Sequence, residues 1–215
     1  MFLHSMLFGN FHRLELLEHA MHISIITFDG FNELDSLIVY GILNRIKQPG
    51  WRVTIAGSEK RVSSMNGLVL ESQVSLLEAS SADAVIIGSG IKTREVASDL
   101  TLMAQLTLDP NRQLLASQCS GALIMAKLGL LAGIPVCTDL TTKPWVEETG
   151  VEVLDQPFFT QNNIASAGGC LASIYLAAWI IARSAGTEAA ESAIRYVAPV
   201  GEKDAFVALV MNKIH

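Results

Sequence analysis

The stretch that most constrains the fold is residues 113–127, which read QLLASQCSGALIMAK. Its first apolar run predicts a short buried strand, and a second apolar, helix-favouring run follows after only five residues. A chain that turns this sharply from strand into helix needs small residues two positions either side of the turn. Ser117 and Gly121 are those residues, so the pattern matches the G-x-S-x-G nucleophile elbow with Cys119 in place of serine.

Cys119 has two interpretations. A cysteine at a helix N-terminus faces unpaired N–H groups and the positive end of the helix dipole, which favour a thiolate. An isolated cysteine is more commonly a small buried hydrophobe. The strand, the small neighbours and the helix around Cys119 favour the reactive interpretation, that of a nucleophile.

Asp35 follows the first predicted strand, His22–Phe28, at the start of a helix whose apolar residues recur at i, i+3, i+4 and i+7. Asn32 could be the N-cap, with Asp35 three residues later completing a capping box. Alternatively, Asp35 could project into the cleft above the strand ends as a proton carrier. The residues alone favour the cap, and the two roles are compatible.

The apolar run Ala84–Ile87 predicts another buried strand, and it leads directly into Gly88-Ser89-Gly90. Glycines after a strand are most often a tight turn, but they also let the backbone approach a ligand closely. In an open α/β sheet, the carboxyl ends of parallel strands line the binding crevice. The N–H groups around Ser89 and Gly90 are therefore candidates for stabilising a developing negative charge.

The remaining pattern alternates strands with helices, and the tryptophans and methionines in it are interpreted as packing residues. The predicted elements are strands at 51–56, 135–138 and 151–154, a hairpin across Asn66-Gly67, helices at 94–108 and 142–148, a strand pair at 158–167, a long apolar helix to 183 and a final helix at 187–196. This alternation predicts an α/β three-layer sandwich: a mostly parallel, flavodoxin-like sheet with helices on both faces.

Length and charge exclude several classes of protein. At 215 residues the chain fits a single domain, residues 21–215, preceded by an N-terminal extension, residues 1–20. That extension is a poor signal peptide; it is either an extra helix, with Phe11, Leu14, Leu17 and Glu18 on one face, or sequence upstream of a start at Met21, which we favour. A net charge of −6 offers no general attraction to nucleic acid or anionic membranes.

The cysteines predict a reducing cytoplasm, and the longest apolar stretch predicts no membrane span. Three cysteines far apart in the sequence, Cys119, Cys137 and Cys170, show no metal-like spacing and argue against a disulfide framework. We accordingly expect no metal and no cofactor. The apolar stretch 171–182 is too short to span a bilayer, so no membrane partner is expected either.

Several motifs occur together in one order and resemble the DJ-1/PfpI superfamily, within the class I glutamine-amidotransferase-like fold. The resemblance covers about residues 21–201 and is greatest to isonitrile hydratases and the N-terminal domains of AraC-type regulators. The motifs are F-x-x-x-x-x-L-D at 28–35, the S-x-G-L-x-L hairpin at 64–70 with one extra residue, the strand ending in glycines at 85–90, the C-[TS]-G elbow with x-G-L-L-x-G at 119–133, the Gly-Gly helix start at 168–169 and Y-x-A-P at 196–199.

The resemblance implies a nucleophile, Cys119, with the acidic side chain of Asp35 held against it, which overrides a purely capping role. It also implies that the hydroxyl of Ser120 contributes to the site. Oxyanion contacts would come from the backbone around Ser89 and Gly90 and from the N–H of Ser120. Members of the family are commonly homodimers, and we expect the same here.

Two departures from the family pattern limit the mechanism. Many relatives have P-G-G where this chain has Gly88-Ser89-Gly90. Many also have T-T-H-W after the elbow helix, where this chain has Asp139 in the histidine position. None of the five histidines lies beside a motif, which argues against a Cys-His mechanism. Asp139 is either a further catalytic carboxylate or a loop anchor, and the second is favoured.

The combined expectation is a cytoplasmic, cofactor-free, cysteine-dependent hydratase or hydrolase of a small electrophilic carbon, with an isonitrile as the best single substrate. One alternative is a small-molecule sensor or binding module, although the chain ends at His215 without room for the helix-turn-helix domain of the regulators. Another is glyoxalase-like action on α-oxoaldehydes, which the missing histidine argues against.

Overall fold

A computed structural model describes residues 20–214. The expected helix within the N-terminal extension lies outside the described residues. The strands are His22–Ile26 (β1), Arg52–Gly57 (β2), Arg61–Ser63 (β3), Val69–Glu71 (β4), Val74–Ser75 (β5), Ala84–Ile87 (β6), Leu114–Gln118 (β7), Phe158–Gln161 (β8) and Ile164–Ala167 (β9). The helices are Glu33–Leu43 (α1), Leu76–Ala79 (α2), Thr93–Ser98 (α3), Leu100–Met103 (α4), Gly121–Lys127 (α5), Lys143–Glu147 (α6), Ser173–Ala185 (α7), Thr187–Val197 (α8) and Lys203–Ile214 (α9).

The main sheet has seven strands in the order β5-β2-β1-β6-β7-β9-β8. Every neighbouring pair is parallel except β8 with β9, which form the hairpin predicted at 158–167. Strands β3 and β4 form a separate antiparallel hairpin, as predicted across Asn66-Gly67. The predicted α/β fold with a mostly parallel, flavodoxin-like sheet is confirmed.

Alternation along the central strands places a hydrophobic core on each face of the sheet. Ile23 and Ile25 of β1 face one core, which is closed by α1, α7, α8 and α9. Ile26 faces the other core, which is closed by α2 to α6. These two cores account for the three layers, because side chains of a strand alternate between the faces.

Three predicted elements differ in the structure. The helix expected at 94–108 is divided into α3 and α4 at Asp99, whose extended backbone (φ −82°, ψ 98°) interrupts it and whose carboxylate accepts N–H bonds from Thr101 and Leu102 to cap α4. The strands expected at 135–138 and 151–154 are reduced to a single bridge between Val136 and Val153.

The C-terminal helix α9 was not predicted, although the buried residues Val207, Val210, Met211 and Ile214 follow helical spacing and pack into the first core. Among residues 20–214, no helix is both long and apolar enough to cross a membrane.

Candidate active site at the carboxyl edge of the sheet

The site lies where three adjacent parallel strands end. In the register of the sheet, Ile26 of β1 lies beside Ile87 of β6, and Ile87 lies beside Ser117 of β7. The segments that follow these strands therefore meet at one edge, as expected for ligand sites in open α/β sheets. They carry the predicted residues Asp35, Ser89, Gly90, Cys119 and Ser120.

Cys119 occupies the turn between β7 and α5 in a left-handed backbone conformation, with φ 45°. That conformation costs a non-glycine residue about 1–3 kcal/mol and persists only where its surroundings impose it. Here the Cys119 N–H donates to the carbonyl of Ala167 at 2.8 Å, and its carbonyl accepts from Thr138 Oγ1 at 2.8 Å. Both sides of the turn are thus fixed by the neighbouring chain, and the predicted elbow is present.

Gly121 is required by the close packing of this elbow. A Cβ atom at that position would lie 2.3 Å from the carbonyl oxygen of Ile87 and 2.9 Å from that of Gly88. Any side chain there would push α5 away from the end of β6. The small residue predicted after the cysteine is therefore needed for the approach of two backbone segments.

Asp35 belongs to the site, and the cap of α1 is made by Asn32 alone. The Asn32 side chain accepts the N–H of Leu34 at 3.1 Å. The backbone N–H of Asn32, which Asp35 would accept in a capping box, donates to the carbonyl of Ser89 at 2.9 Å instead. Asp35 therefore completes no capping box. The Asp35 side chain is buried, and its Oδ2 accepts a short hydrogen bond from Ser89 Oγ. Its Oδ1 has no hydrogen-bond partner within the described part of the chain.

A second cysteine, Cys170, lies in the same cluster. The sulfurs of Cys119 and Cys170 and a carboxylate oxygen of Asp35 all lie within 4.8 Å of one another. The two cysteines are far apart in the sequence but are neighbours in the fold, and all three cysteines are free thiols. Sequence reasoning missed Cys170 because the pairing of β7 with β9, not local spacing, brings it to Cys119.

Burial, in the first place, and the negative charge of Asp35, in the second, raise the pKa of the Cys119 thiol. Burial, and after it Asp35, also raises the pKa of the Cys170 thiol. The sequence predicts a lowered pKa for the Cys119 thiol at the start of α5, whereas its surroundings in the fold raise it. The raised pKa favours the protonated thiol, which lies beside a carboxylate that can accept its proton.

Gln118 is a site residue that sequence reasoning missed. Its side chain is fully buried, and its Nε2 donates to Cys119 Sγ at 3.4 Å and to the carbonyl of Gly169 at 2.9 Å. The hydrogen bond to sulfur lowers the pKa of Cys119, opposing burial and Asp35. A polar residue at the last position of a buried strand, directly before the elbow, is the signal that could have revealed it.

Ser120 and Gly90 are brought together, and they bond to each other. The N–H of Gly90 donates to Ser120 Oγ at 3.2 Å, and Ser120 Oγ also lies 2.7 Å from Thr93 Oγ1. Thr93, at the start of α3, is a further residue of the site that was not predicted. The backbone N–H of Ser120 has no hydrogen-bond partner among residues 20–214, which leaves it available to a ligand.

Asp139 lines the cavity, but its carboxylate serves its own loop. Its Oδ1 accepts the N–H groups of Thr141 and Thr142 at 3.0 Å each, and its Oδ2 accepts Thr142 Oγ1 at 2.7 Å. These three bonds match the loop-anchoring interpretation. A carboxylate engaged in this way has little capacity left to move protons for a substrate.

The cluster opens into a cavity of about 470 Å³. Its lining includes Cys119, Asp35 and Cys170 together with three apolar side chains, Met65, Ile91 and Trp145. The guanidinium of Arg94 lies 4.9 Å from the centre of the Trp145 ring on α6 and holds that ring in place. Trp145 and Met65 thus face the cavity, whereas the sequence predicted packing roles.

The profile of the DJ-1/PfpI family matches residues 21–183, which is more than half of the chain. The chain belongs to the DJ-1/PfpI family. Comparison with curated proteins gives no match.

Three solved structures share the fold with this chain. A THiJ/PfpI family protein from Pseudomonas syringae superposes with a TM-score of 0.74 at 18% identity, covering 98% of this chain and 96% of that one. Drosophila melanogaster DJ-1beta superposes with a TM-score of 0.73 at 19% identity, covering 83% of this chain and 97% of that one. An AraC family transcriptional regulator from Pseudomonas putida superposes with a TM-score of 0.70 at 16% identity, covering 83% of this chain and 100% of that one.

Proposed function

We propose that this member of the DJ-1/PfpI family is a cysteine-dependent hydratase of a small electrophilic carbon, with an isonitrile as substrate. The observation that carries the proposal is the buried contact between a strained elbow cysteine, Cys119, and the carboxylate of Asp35. A nucleophile with a proton acceptor beside it, in a cavity of small volume, is suited to adding S–H across an unsaturated carbon.

In the first half of the reaction, the sulfur of Cys119 attacks the terminal carbon of R–N≡C while Asp35 accepts the thiol proton. Asp35 then delivers that proton to the same carbon, giving the thioimidate R–N=CH–S–Cys119. The raised pKa of Cys119 makes a proton acceptor within contact necessary, because little thiolate exists before the substrate arrives.

In the second half, water adds to the thioimidate carbon, and Asp35 accepts a proton from the water as the C–O bond forms. A proton passes to the nitrogen, the C–S bond breaks, and the thiol is restored as R–NH–CHO leaves. The overall change is R–N≡C + H₂O → R–NH–CHO. The free N–H of Ser120 is the donor we assign to the oxygen in the tetrahedral intermediate. The Ser120 hydroxyl is engaged instead with Thr93 Oγ1, whose own proton bonds to the carbonyl of Gly90.

The cavity walls support a substrate with an apolar substituent. Met65 from the hairpin, Ile91 after β6 and Trp145 from α6 line the same cavity as Cys119. Because an alkyl or aryl isonitrile has no net charge and its substituent is a hydrocarbon, such a molecule matches this lining. We also propose that the protein acts as a homodimer in the cytoplasm, in keeping with the family resemblance.

The test is turnover of a panel of alkyl and aryl isonitriles by the reduced full-length protein, with the N-formyl product identified by mass spectrometry. The Cys119→Ala variant is expected to lose all turnover, and Cys137→Ala, which removes a buried thiol outside the cluster, is expected to retain it. Turnover by Cys119→Ala would refute the covalent mechanism.

The isonitrile panel, extended with methylglyoxal, separates the alternatives. Saturable binding of isonitriles without any product would identify a binding module instead of an enzyme. Formation of lactate from methylglyoxal, with no activity on isonitriles, would identify glyoxalase-like chemistry. Either result would overturn the proposed hydratase.

A further inference from the structure

We propose that Asp35, Cys119 and Cys170 form a binding site for a thiophilic divalent metal ion, for which Zn²⁺ is the best match. Their three ligand atoms lie within 4.8 Å of one another. Ligands of one tetrahedral zinc ion, with Zn–S of about 2.3 Å and Zn–O of about 2.1 Å, lie about 3.6–3.8 Å apart. Each pair of ligand atoms therefore has to close by no more than about 1.2 Å to reach one ion.

An unpartnered atom at the site points to a missing ligand. Oδ1 of Asp35 is buried and makes no hydrogen bond within the described residues, while Oδ2 is held by Ser89. A buried carboxylate oxygen without a partner is costly, and a bound cation would satisfy it.

Each of the three proposed ligand side chains also accepts a hydrogen bond from a neighbouring residue. Gln118 Nε2 donates to Cys119 Sγ at 3.4 Å, Asn32 Nδ2 donates to Cys170 Sγ at 3.3 Å, and Ser89 Oγ donates to Asp35. Metal ligands in proteins are commonly oriented by outer-shell hydrogen bonds of this kind. The three donors hold the two sulfurs as acceptors and leave Oδ1 for the ion.

Chemistry and access favour zinc over a hard cation. Two thiols and one carboxylate are a soft ligand set that selects Zn²⁺ over Mg²⁺ or Ca²⁺. Binding would form two Zn–S bonds and one Zn–O bond and would release the two thiol protons to solvent. All three residues line the cavity, so the fourth position of the ion would face it and could hold a water molecule.

The inference does not depend on the proposed hydratase activity. A bound ion would occupy the sulfur of Cys119, so the metal-bound protein would be resistant to alkylation and, if the hydratase proposal holds, inactive. Failure of isonitrile turnover would leave the metal site standing, and failure of metal binding would leave the hydratase standing.

The experiment is a titration of the reduced, chelator-treated full-length protein with Co²⁺, followed by optical spectroscopy and displacement with Zn²⁺. We expect one ion per chain with a thiolate-to-cobalt charge-transfer band, which Zn²⁺ abolishes. Cys170→Ser is expected to lose roughly half of that band and to bind at least about tenfold more weakly. Cys137→Ser, the matched control, is expected to change neither, because Cys137 lies outside the cluster.

A second measurement covers the case in which Cys170→Ser fails to fold. In the wild-type protein, stoichiometric Zn²⁺ should block alkylation of Cys119 and Cys170, and a chelator should restore it. Absence of the charge-transfer band, an unchanged band in a folded Cys170→Ser variant, or alkylation at an undiminished rate with Zn²⁺ present would each overturn the site.

Discussion

Replacing Asp35 by asparagine should make Cys119 more reactive toward a simple alkylating agent while abolishing any turnover that needs a proton acceptor. The negative charge of Asp35 is one of the causes that raise the pKa of Cys119, second after burial. Asn has nearly the same shape but carries no charge, so Asp35→Asn lowers that pKa and leaves the burial in place. The same substitution thus acts in opposite directions on alkylation and on catalysis.

The magnitude follows from the separation of the two groups. The Cys119 sulfur and a carboxylate oxygen of Asp35 lie within 4.8 Å, and two unit charges at that distance interact by about 3.5 kcal/mol at an effective dielectric constant of ~20. Removing the charge therefore increases the thiolate fraction about 300-fold at neutral pH. Because nucleophilicity falls with pKa along a Brønsted slope of about 0.4–0.5, the net acceleration is on the order of 20-fold.

The assay is the rate of iodoacetamide alkylation of Cys119 against pH, resolved by peptide mass spectrometry. The wild-type rate should still be rising where an ordinary thiol, with a pKa near ~8.5, has levelled off, and the Asp35→Asn curve should shift to lower pH. Asp139→Asn is the matched control, because Asp139 lines the same cavity but bonds to its own loop. An equal or slower rate in Asp35→Asn would refute the electrostatic reasoning.

Three further predictions concern single residues. Gln118→Met removes the hydrogen bond that lowers the pKa of Cys119, so alkylation of Cys119 at fixed pH should slow; an unchanged rate would contradict the assigned contact. Gly121→Ala places a Cβ 2.3 Å from a backbone carbonyl oxygen and should lower the free energy of unfolding in urea by about 1–3 kcal/mol. The control Gly41→Ala, whose Cβ would have nothing within 4 Å, should not lower it. Asp139→Asn should retain most isonitrile turnover if its carboxylate only anchors the loop, and a loss as complete as that of Cys119→Ala would assign it a catalytic role.

Local sequence was sufficient for the elements that depend on nearby residues. The apolar runs of β6 and β7 and the small residues around Cys119 predicted the elbow, because a strand-to-helix turn is decided within a few residues. Asn32 as the cap of α1 was predicted for the same reason. The break at Asp99 was missed, since the helical periodicity continues across it.

The residues around the sulfur were predictable only in part. Cys119 and Asp35 were identified by a motif and a family resemblance, and the structure brings them into one cluster. Gln118 and Thr93 were missed because no motif marks them, and their roles come from side-chain contacts made after the sheet has formed. The structure also shows the bonds of Asp139 within its loop, which spacing alone left open.

The sequence by itself determined the general alternation of strands and helices, the place of the elbow and the cysteine at its tip, because these follow from periodicity and from backbone sterics. Tertiary structure decided the chemistry of that cysteine. Burial and the charge of Asp35, 84 positions away along the printed chain, raise the pKa of Cys119, and the pairing of β7 with β9 brings Cys170 beside it. Desolvation and Coulomb interactions depend on distance in space, so the protonation state of the site is a property of the folded chain.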